Sequence, residues 1–187
     1  MTALLRFDGV TCVRGGRTLF EDLDLALEPG EAVLVTGPNG CGKSSLLRLA
    51  AGLLRPAAGT VECGEVALAD DALALDRELE LNRALGFWTK LDDSSAHGGL
   101  DAMGLTPLAE VPVRFLSTGQ ARRARLARVI ASGVPLWLLD EPANGLDTDG
   151  LDRLNTAIAE HRSAGGAVVA ASHGTLSGDW HKLDLAK

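Results

Sequence analysis

Gly37-Pro38-Asn39-Gly40-Cys41-Gly42-Lys43-Ser44 has the pattern G-x-x-x-x-G-K-S, and the chemistry such a pattern supports is phosphate binding. Phosphate oxygens need several N–H donors converging on one small volume. Glycines let the backbone curl into such a nest without a Cβ in the way. A helix starting directly behind the loop adds the positive end of its dipole. Lys43 is placed to reach the β- and γ-phosphates of ATP, and the Ser44 hydroxyl to ligate Mg²⁺. Ser45 follows on the first helical turn and completes the nucleotide-contacting set. Cys41 reads as a small residue tolerated at a variable position of the loop.

Leu136-Trp137-Leu138-Leu139-Asp140-Glu141 is an apolar strand closed by two acids. In an open α/β sheet ligands gather at the carboxyl ends of the strands, where this one delivers Asp140. Asp140 is expected to hold Mg²⁺, directly or through water. Glu141 is expected to face the γ-phosphate and polarise the attacking water as a general base.

These groups need a frame. Residues 31–36 (EAVLVT) read as a buried strand running into the loop, and residues 44–51 as the helix behind it, ended by Gly52 and Pro56. Residues 4–7 and 23–27 alternate as strands around the turn Arg14-Gly15-Gly16-Arg17. Residues 59–69 read as one further strand with Gly64 as a turn or bulge. Residues 77–88 and 100–103 have helical apolar spacing, and Asp92-Asp93-Ser94-Ser95 with Gly98-Gly99 has loop composition. Helices follow over 117–132 and 151–163, with strands over 136–139 and 167–171, the last one ending at Ser172-His173. Strands alternating with helices imply an α/β fold with a parallel sheet at the chemical end.

The chain of 187 residues suits one domain with a real core and is too short for two. No apolar run approaches the roughly 20 residues that cross a bilayer as a helix, and residues 1–9 lack a signal-peptide core. The expectation is a cytosolic chain whose membrane contact comes through a partner. A net charge of −7 argues against a general grip on nucleic acid. Arg122, Arg123, Arg125 and Arg128 form a basic cluster that reads as a solvated helix face with ion pairs. Cys12, Cys41 and Cys63 show no CxxC spacing and indicate neither a disulfide framework nor a zinc site.

Further along, Leu116-Ser117-Thr118-Gly119-Gln120 resembles the LSGGQ signature of ABC ATPases, with Thr118 in place of the first glycine. Asn144-Gly145-Leu146-Asp147 resembles the D-loop, and His173 the switch histidine. The resemblance covers nearly the whole chain. It implies a P-loop NTPase of the ABC type, one domain over 1–187 with a mostly parallel core sheet, an N-terminal antiparallel β subdomain and a small helical subdomain within about 70–132. It implies that Ser117, Gly119 and Gln120 serve a γ-phosphate bound by a second ATP-binding subunit, so that two copies sandwich two nucleotides head to tail. Asp147 would bridge the two sites and His173 would contact the γ-phosphate. Arg14 falls where many of these ATPases stack an aromatic ring on adenine, and a guanidinium plane can stack there too.

Residues 111–123 (VPVRFLSTGQARR) and 135–142 (PLWLLDEP), with Gly165-Gly166-Ala167 and Phe87-Trp88, are similar to the CcmA family, the ATP-binding subunits of the bacterial haem exporter used in cytochrome c maturation. That implies a homodimer on an integral membrane permease, placed peripherally at the cytoplasmic face of the inner membrane, working with haem-handling proteins. His161, His173 and His181 lack a CxxCH context, so haem is expected on partners. Two alternatives share the motifs: an exporter of lipid, drug or peptide, and a soluble ABC ATPase acting without a permease. Residues 52–115 leave no room for the long coiled-coil insertion such soluble proteins usually carry. One departure stands out. The family has a glutamine after the strand preceding the middle segment, whereas here the region reads Ala69-Asp70-Asp71-Ala72-Leu73. Asp70 or Asp71 could supply a metal-directed oxygen in its place.

Overall fold

The computed structural model describes residues 3–91, 96–174 and 176–186. In chain order these form β1 (Leu5–Arg14), β2 (Arg17–Leu27), β3 (Ala32–Thr36), α1 (Lys43–Ala50), β4 (Ala58–Cys63), β5 (Val66–Ala69), α2 (Leu81–Leu91) and α3 (Ala96–Ala102). After two short 3₁₀ turns come α4 (Thr118–Ala131), β6 (Leu136–Asp140), α5 (Thr148–Ser163), β7 (Ala167–Ala171) and β8 (His181–Asp184). The strands divide between an antiparallel sheet of order β2-β1-β4 and a parallel sheet of order β5-β6-β7-β3-β8.

Strands β6 and β7 are buried along almost their whole length, as a parallel sheet covered on both faces requires. Their alternate residues feed two cores. Trp137, Leu139, Val168 and Ala170 face the layer of α3, α4 and α5 with Leu100, Leu126 and Ile158. Leu136, Leu138, Val169 and Ala171 face α1 and the antiparallel sheet, with Leu46, Leu47, Leu5 and Phe7. The second core is what fixes the antiparallel sheet above the loop that α1 follows.

Several expectations need correction. Residues 59–69 are not one strand: the chain breaks at Gly64, and β4 joins the antiparallel sheet while β5 becomes the edge of the parallel one. The helix expected from residue 77 starts only at Leu81, because Glu80 bridges Pro112 and the backbone before it pairs with residues 113 and 114 instead. Gly98-Gly99 lies inside α3, not in a loop. A Cβ on Gly99 would stand 2.2 Å from the Ala127 carbonyl, so that glycine serves the close approach of α3 to α4. Residues 92–95, the rest of that expected loop, lie outside the described residues. Strand β7 is not the last: β8 adds at the edge beside β3, its Leu183 opposite Val35.

Of the basic cluster, the expected ion pairs are present but the solvated face is not. Arg125 and Arg128 are buried, Arg123 is tied to Asp147 and Asp149, and Arg122 donates to the Gly145 carbonyl. Among the described residues, no helix is long and apolar enough to cross a membrane.

Candidate functional site

The loop of residues 37–44 turns through left-handed conformations at Gly37, Gly40 and Gly42, with φ of 138°, 81° and 116°. At Gly42 space also matters, since a Cβ would meet Leu19 and the Phe20 ring at 3.1 Å. Gly42 is the N-cap of α1 and makes no side-chain cap hydrogen bond, a geometry that leaves first-turn N–H groups available to an anion. Lys43 is buried, and its Nζ donates to the carbonyls of Gly37 at 2.9 Å and Pro38 at 3.3 Å. The same Nζ lies 2.9 Å from Nε2 of His173, which is 2.8 Å from Asn39 Oδ1.

Sheet order explains this convergence. Strand β7 pairs with both β3 and β6, so the turns leaving all three strands open on the same edge. Glu141 follows β6 with its N–H donating to the Ala171 carbonyl at 2.8 Å. The His173 N–H in turn donates to Glu141 Oε2 at 3.3 Å, and His173 Nε2 is 3.6 Å from Glu141 Oε1. Glu141 adopts φ of 46°, a costly conformation for a residue with a Cβ. Its neighbours on β6 and β7 hold it there, with its carboxylate beside His173.

Asp140 receives a hydrogen bond from the Ser44 hydroxyl. Burial pushes its carboxyl above the usual carboxylate range, and the charges of Asp71 and Glu141 add to that push, against the Ser44 bond and Arg48. Oxygen donors of this kind fit Mg²⁺, which takes one or two carboxylates plus phosphate oxygens and keeps waters. Among the described residues, no group of three or more His, Cys, Asp or Glu could hold a metal. A cavity of about 390 Å³ lies over these residues, lined by Arg14, Asn39, Gly40, Lys43, Ser44, Ser45, Asp140 and Glu141 among others. Arg14, at the end of β1, therefore stands at the cavity wall.

The resemblance-derived residues Ser117, Gly119, Gln120 and Asp147 gather elsewhere. Ser117 caps α4: its Oγ accepts from the Gln120 N–H at 3.3 Å, and Gln120 Oε1 accepts from the Ser117 N–H at 2.8 Å. Asp147 caps α5 by accepting from the Gly150 N–H at 3.0 Å. That bond first, and Arg123 second, hold the Asp147 carboxyl below the usual range. Arg123 Nη2 reaches both Asp147 oxygens at 2.6 and 2.7 Å, joining the starts of α4 and α5. A cavity of about 330 Å³ is lined by Ser117, Gly119, Gln120, Arg123, Gly145 and Asp147, and it shares no lining residue with the first. Arg123 was missed as a lining residue of this cavity; its sequence signal was a basic residue three positions behind the signature.

Pairing of Ala69 with Leu139 sets Asp70 beside Asp140 at the carboxyl edge. Asp70 Oδ1 accepts from the Ala72 N–H at 3.0 Å, and Oδ2 lies 3.9 Å from Arg48. The Asp71 carboxylate is exposed, 3.8 Å from Arg125.

A family model described as "ABC transporter" matches residues 20–144. The chain is 60% identical over 181 residues to the cytochrome c biogenesis ATP-binding export protein CcmA of Sphingopyxis alaskensis, covering 95% of this chain and 93% of that one. It is 50% identical over 187 residues to the protein of the same name from Zymomonas mobilis, covering 98% and 85%. A solved chain described as an ABC transporter ATP-binding protein from Pyrococcus furiosus superposes with a TM-score of 0.85 at 21% identity, covering 97% of each, which speaks to the fold.

Proposed function

The chain belongs to the ABC transporter ATP-binding family, within its CcmA group, and from that premise we propose that it is the ATP-hydrolysing subunit of a haem exporter serving cytochrome c maturation. One observation carries the mechanistic part of this reading. The phosphate nest and the signature residues line separate cavities of one chain, so a nucleotide on the nest meets the signature only from a second copy. Gly119 supports it: a Cβ there would meet nothing within 4 Å, so packing inside the chain does not demand glycine.

In this reading the loop N–H groups and Lys43 hold the β- and γ-phosphates. Ser44 and Asp140 would hold Mg²⁺, which would supply charge neutralisation at the phosphates. Glu141 orients a water and accepts its proton as the water oxygen bonds to the γ-phosphorus and the bond to the β-phosphate oxygen breaks. His173 donates to the γ-phosphate from the turn after β7. The partner's signature turn adds the Ser117 hydroxyl and the Gly119 N–H, and Asp147 links the two sites. Arg14 stacks on the base. Residues 70–132 act as the helical subdomain within a single domain. The pair docks on an integral membrane permease at the cytoplasmic face of the inner membrane, with haem carried by partner proteins.

The test is specific ATPase activity against protein concentration, alongside light scattering of Glu141→Gln with ATP. Activity per subunit should rise with concentration, and the variant should dimerise only with ATP. Concentration-independent activity of a monomer would overturn the half-site reading. Co-purification with a permease whose loss abolishes haem attachment to c-type cytochromes tests the cargo; loss of a lipid, drug or peptide export phenotype instead would replace haem.

A further inference from the structure

Arg125 and Arg128 stand one turn apart on α4 and are only 7% and 8% exposed. Buried guanidinium groups are costly unless paired and hydrogen-bonded. Both are directed at one short stretch. Arg125 Nη1 donates to the Asp70 carbonyl at 2.6 Å, and Arg128 Nη2 donates to the Leu68 carbonyl. Arg128 also lies over the Trp88 ring, 4.7 Å from its centroid. Arg125 has a second partner in the Asp71 carboxylate at 3.8 Å.

The stretch they hold is the end of β5 and the turn after it, which the sheet register sets beside Asp140. Asp70 and Asp71 thus follow β5 at the same edge at which Asp140 ends β6 and Glu141 follows it. Cations at this edge include Lys43 and Arg48 from α1 and Arg125 and Arg128 from α4. Asp71 acts electrostatically on Asp140, and Asp140 on Arg125, so these charges share one field. Arg48 is half exposed and 3.9 Å from Asp70, whereas Arg125 is buried and its field is less screened by solvent.

We propose that Arg125 is a positioning residue for the metal-facing edge: it holds the Asp70-Asp71 turn and offsets its charge, and so sets how strongly the site prefers metal-bound over metal-free ATP. This rests on the reading that Asp140 faces Mg²⁺. Without Arg125 the edge carries one more net negative charge. Metal-free ATP, the more negative ligand, is then repelled more than Mg²⁺-bound ATP, whose cation offsets part of that repulsion. The ratio of the two affinities therefore moves, which a uniform loss of packing does not produce.

The experiment measures binding of a fluorescent ATP analogue to the full chain, once in EDTA and once in saturating Mg²⁺, in wild type, Arg125→Met, Asp71→Asn and the double variant. The readout is the ratio of the two affinities, with folding checked by circular dichroism. Arg125→Met should raise the preference for the Mg²⁺ form by about threefold or more. Asp71→Asn should lower it, and the double variant should return toward wild type. Should Arg125→Met fail to fold, Asp71→Asn decides, because that side chain is fully exposed. An unchanged ratio in the folded variants overturns the proposal. Wild-type protein that binds ATP equally with and without Mg²⁺ overturns instead the assignment of Asp140 on which it rests.

Discussion

Lys43 Nζ stands 2.9 Å from His173 Nε2 although 130 positions separate them in the chain. Asn39 Oδ1 lies 2.8 Å from the same Nε2, so one ring nitrogen meets both the ammonium and the amide. The contact ties the turn after β7 to the loop after β3. His173→Ala should therefore leave ATP affinity within about threefold while lowering hydrolysis by about 10²-fold. Glu141→Gln should lower hydrolysis by about 10²- to 10⁴-fold with ATP binding retained. Filter binding and steady-state phosphate release separate the two. A loss of affinity equal to the loss of rate would count against both roles.

Asp147 does two jobs that substitutions can part. Asp147→Ala removes the α5 cap and should lower the urea midpoint of unfolding. Asp147→Asn keeps a capping oxygen and should lower it less, while losing the charge opposite Arg123. If Asp147 also bridges two subunits, both variants should weaken the ATP-dependent dimer of the Glu141→Gln background.

Gly99→Ala probes the packing of α3 on α4. The added methyl meets the Ala127 carbonyl and the Ala131 Cβ, so backbone must shift. Overpacking of this kind costs about 1–3 kcal/mol. At Gly98 a Cβ has open space, and Gly98→Ala should be neutral or slightly stabilising in the same unfolding assay.

His161 stacks on Trp137 with centroids 3.8 Å apart and planes 9° from parallel, and burial pushes its pKa down. With the folded value below the unfolded one of about 6.5, the unfolded chain takes up the proton first as pH falls. The stability contributed is complete above about pH 6.5 and is lost as pH falls through that value toward the depressed folded one. His161→Phe keeps a ring on Trp137 and should flatten that part of the profile. Thermal melts across the window, compared between the two proteins, give the answer; parallel profiles would exclude His161 as the source.

Much of the site was legible because its signals are local. The loop of residues 37–44 is read by glycine spacing, and Asp140-Glu141 by an apolar run that stops at two acids. The β7 boundaries were legible for the same reason, a buried run closed by glycines and serine. What failed was whatever depended on a distant partner. Gly64 was visible as a break, but which sheet each half would join was not. β8 has the polar composition His-Lys-Leu-Asp and becomes a strand because β3 offers it an unpaired edge. Gly99 looked like a loop residue because nothing nearby in sequence announces the Ala127 carbonyl.

By itself the sequence determined the motifs: a glycine-rich loop with its lysine, two acids at a strand end and a signature-like helix start, each set by neighbours within a few residues. Only the tertiary structure decided what those groups face. Parallel pairing of β5, β6, β7 and β3 brings their turns to one edge, which puts His173 on Lys43 and Asp70 beside Asp140. The same packing turns Arg125 and Arg128 inward, where a sequence reading had them solvated. Backbone conformation follows from local sterics, but the partner of a buried charge is fixed by which strand lies across from it.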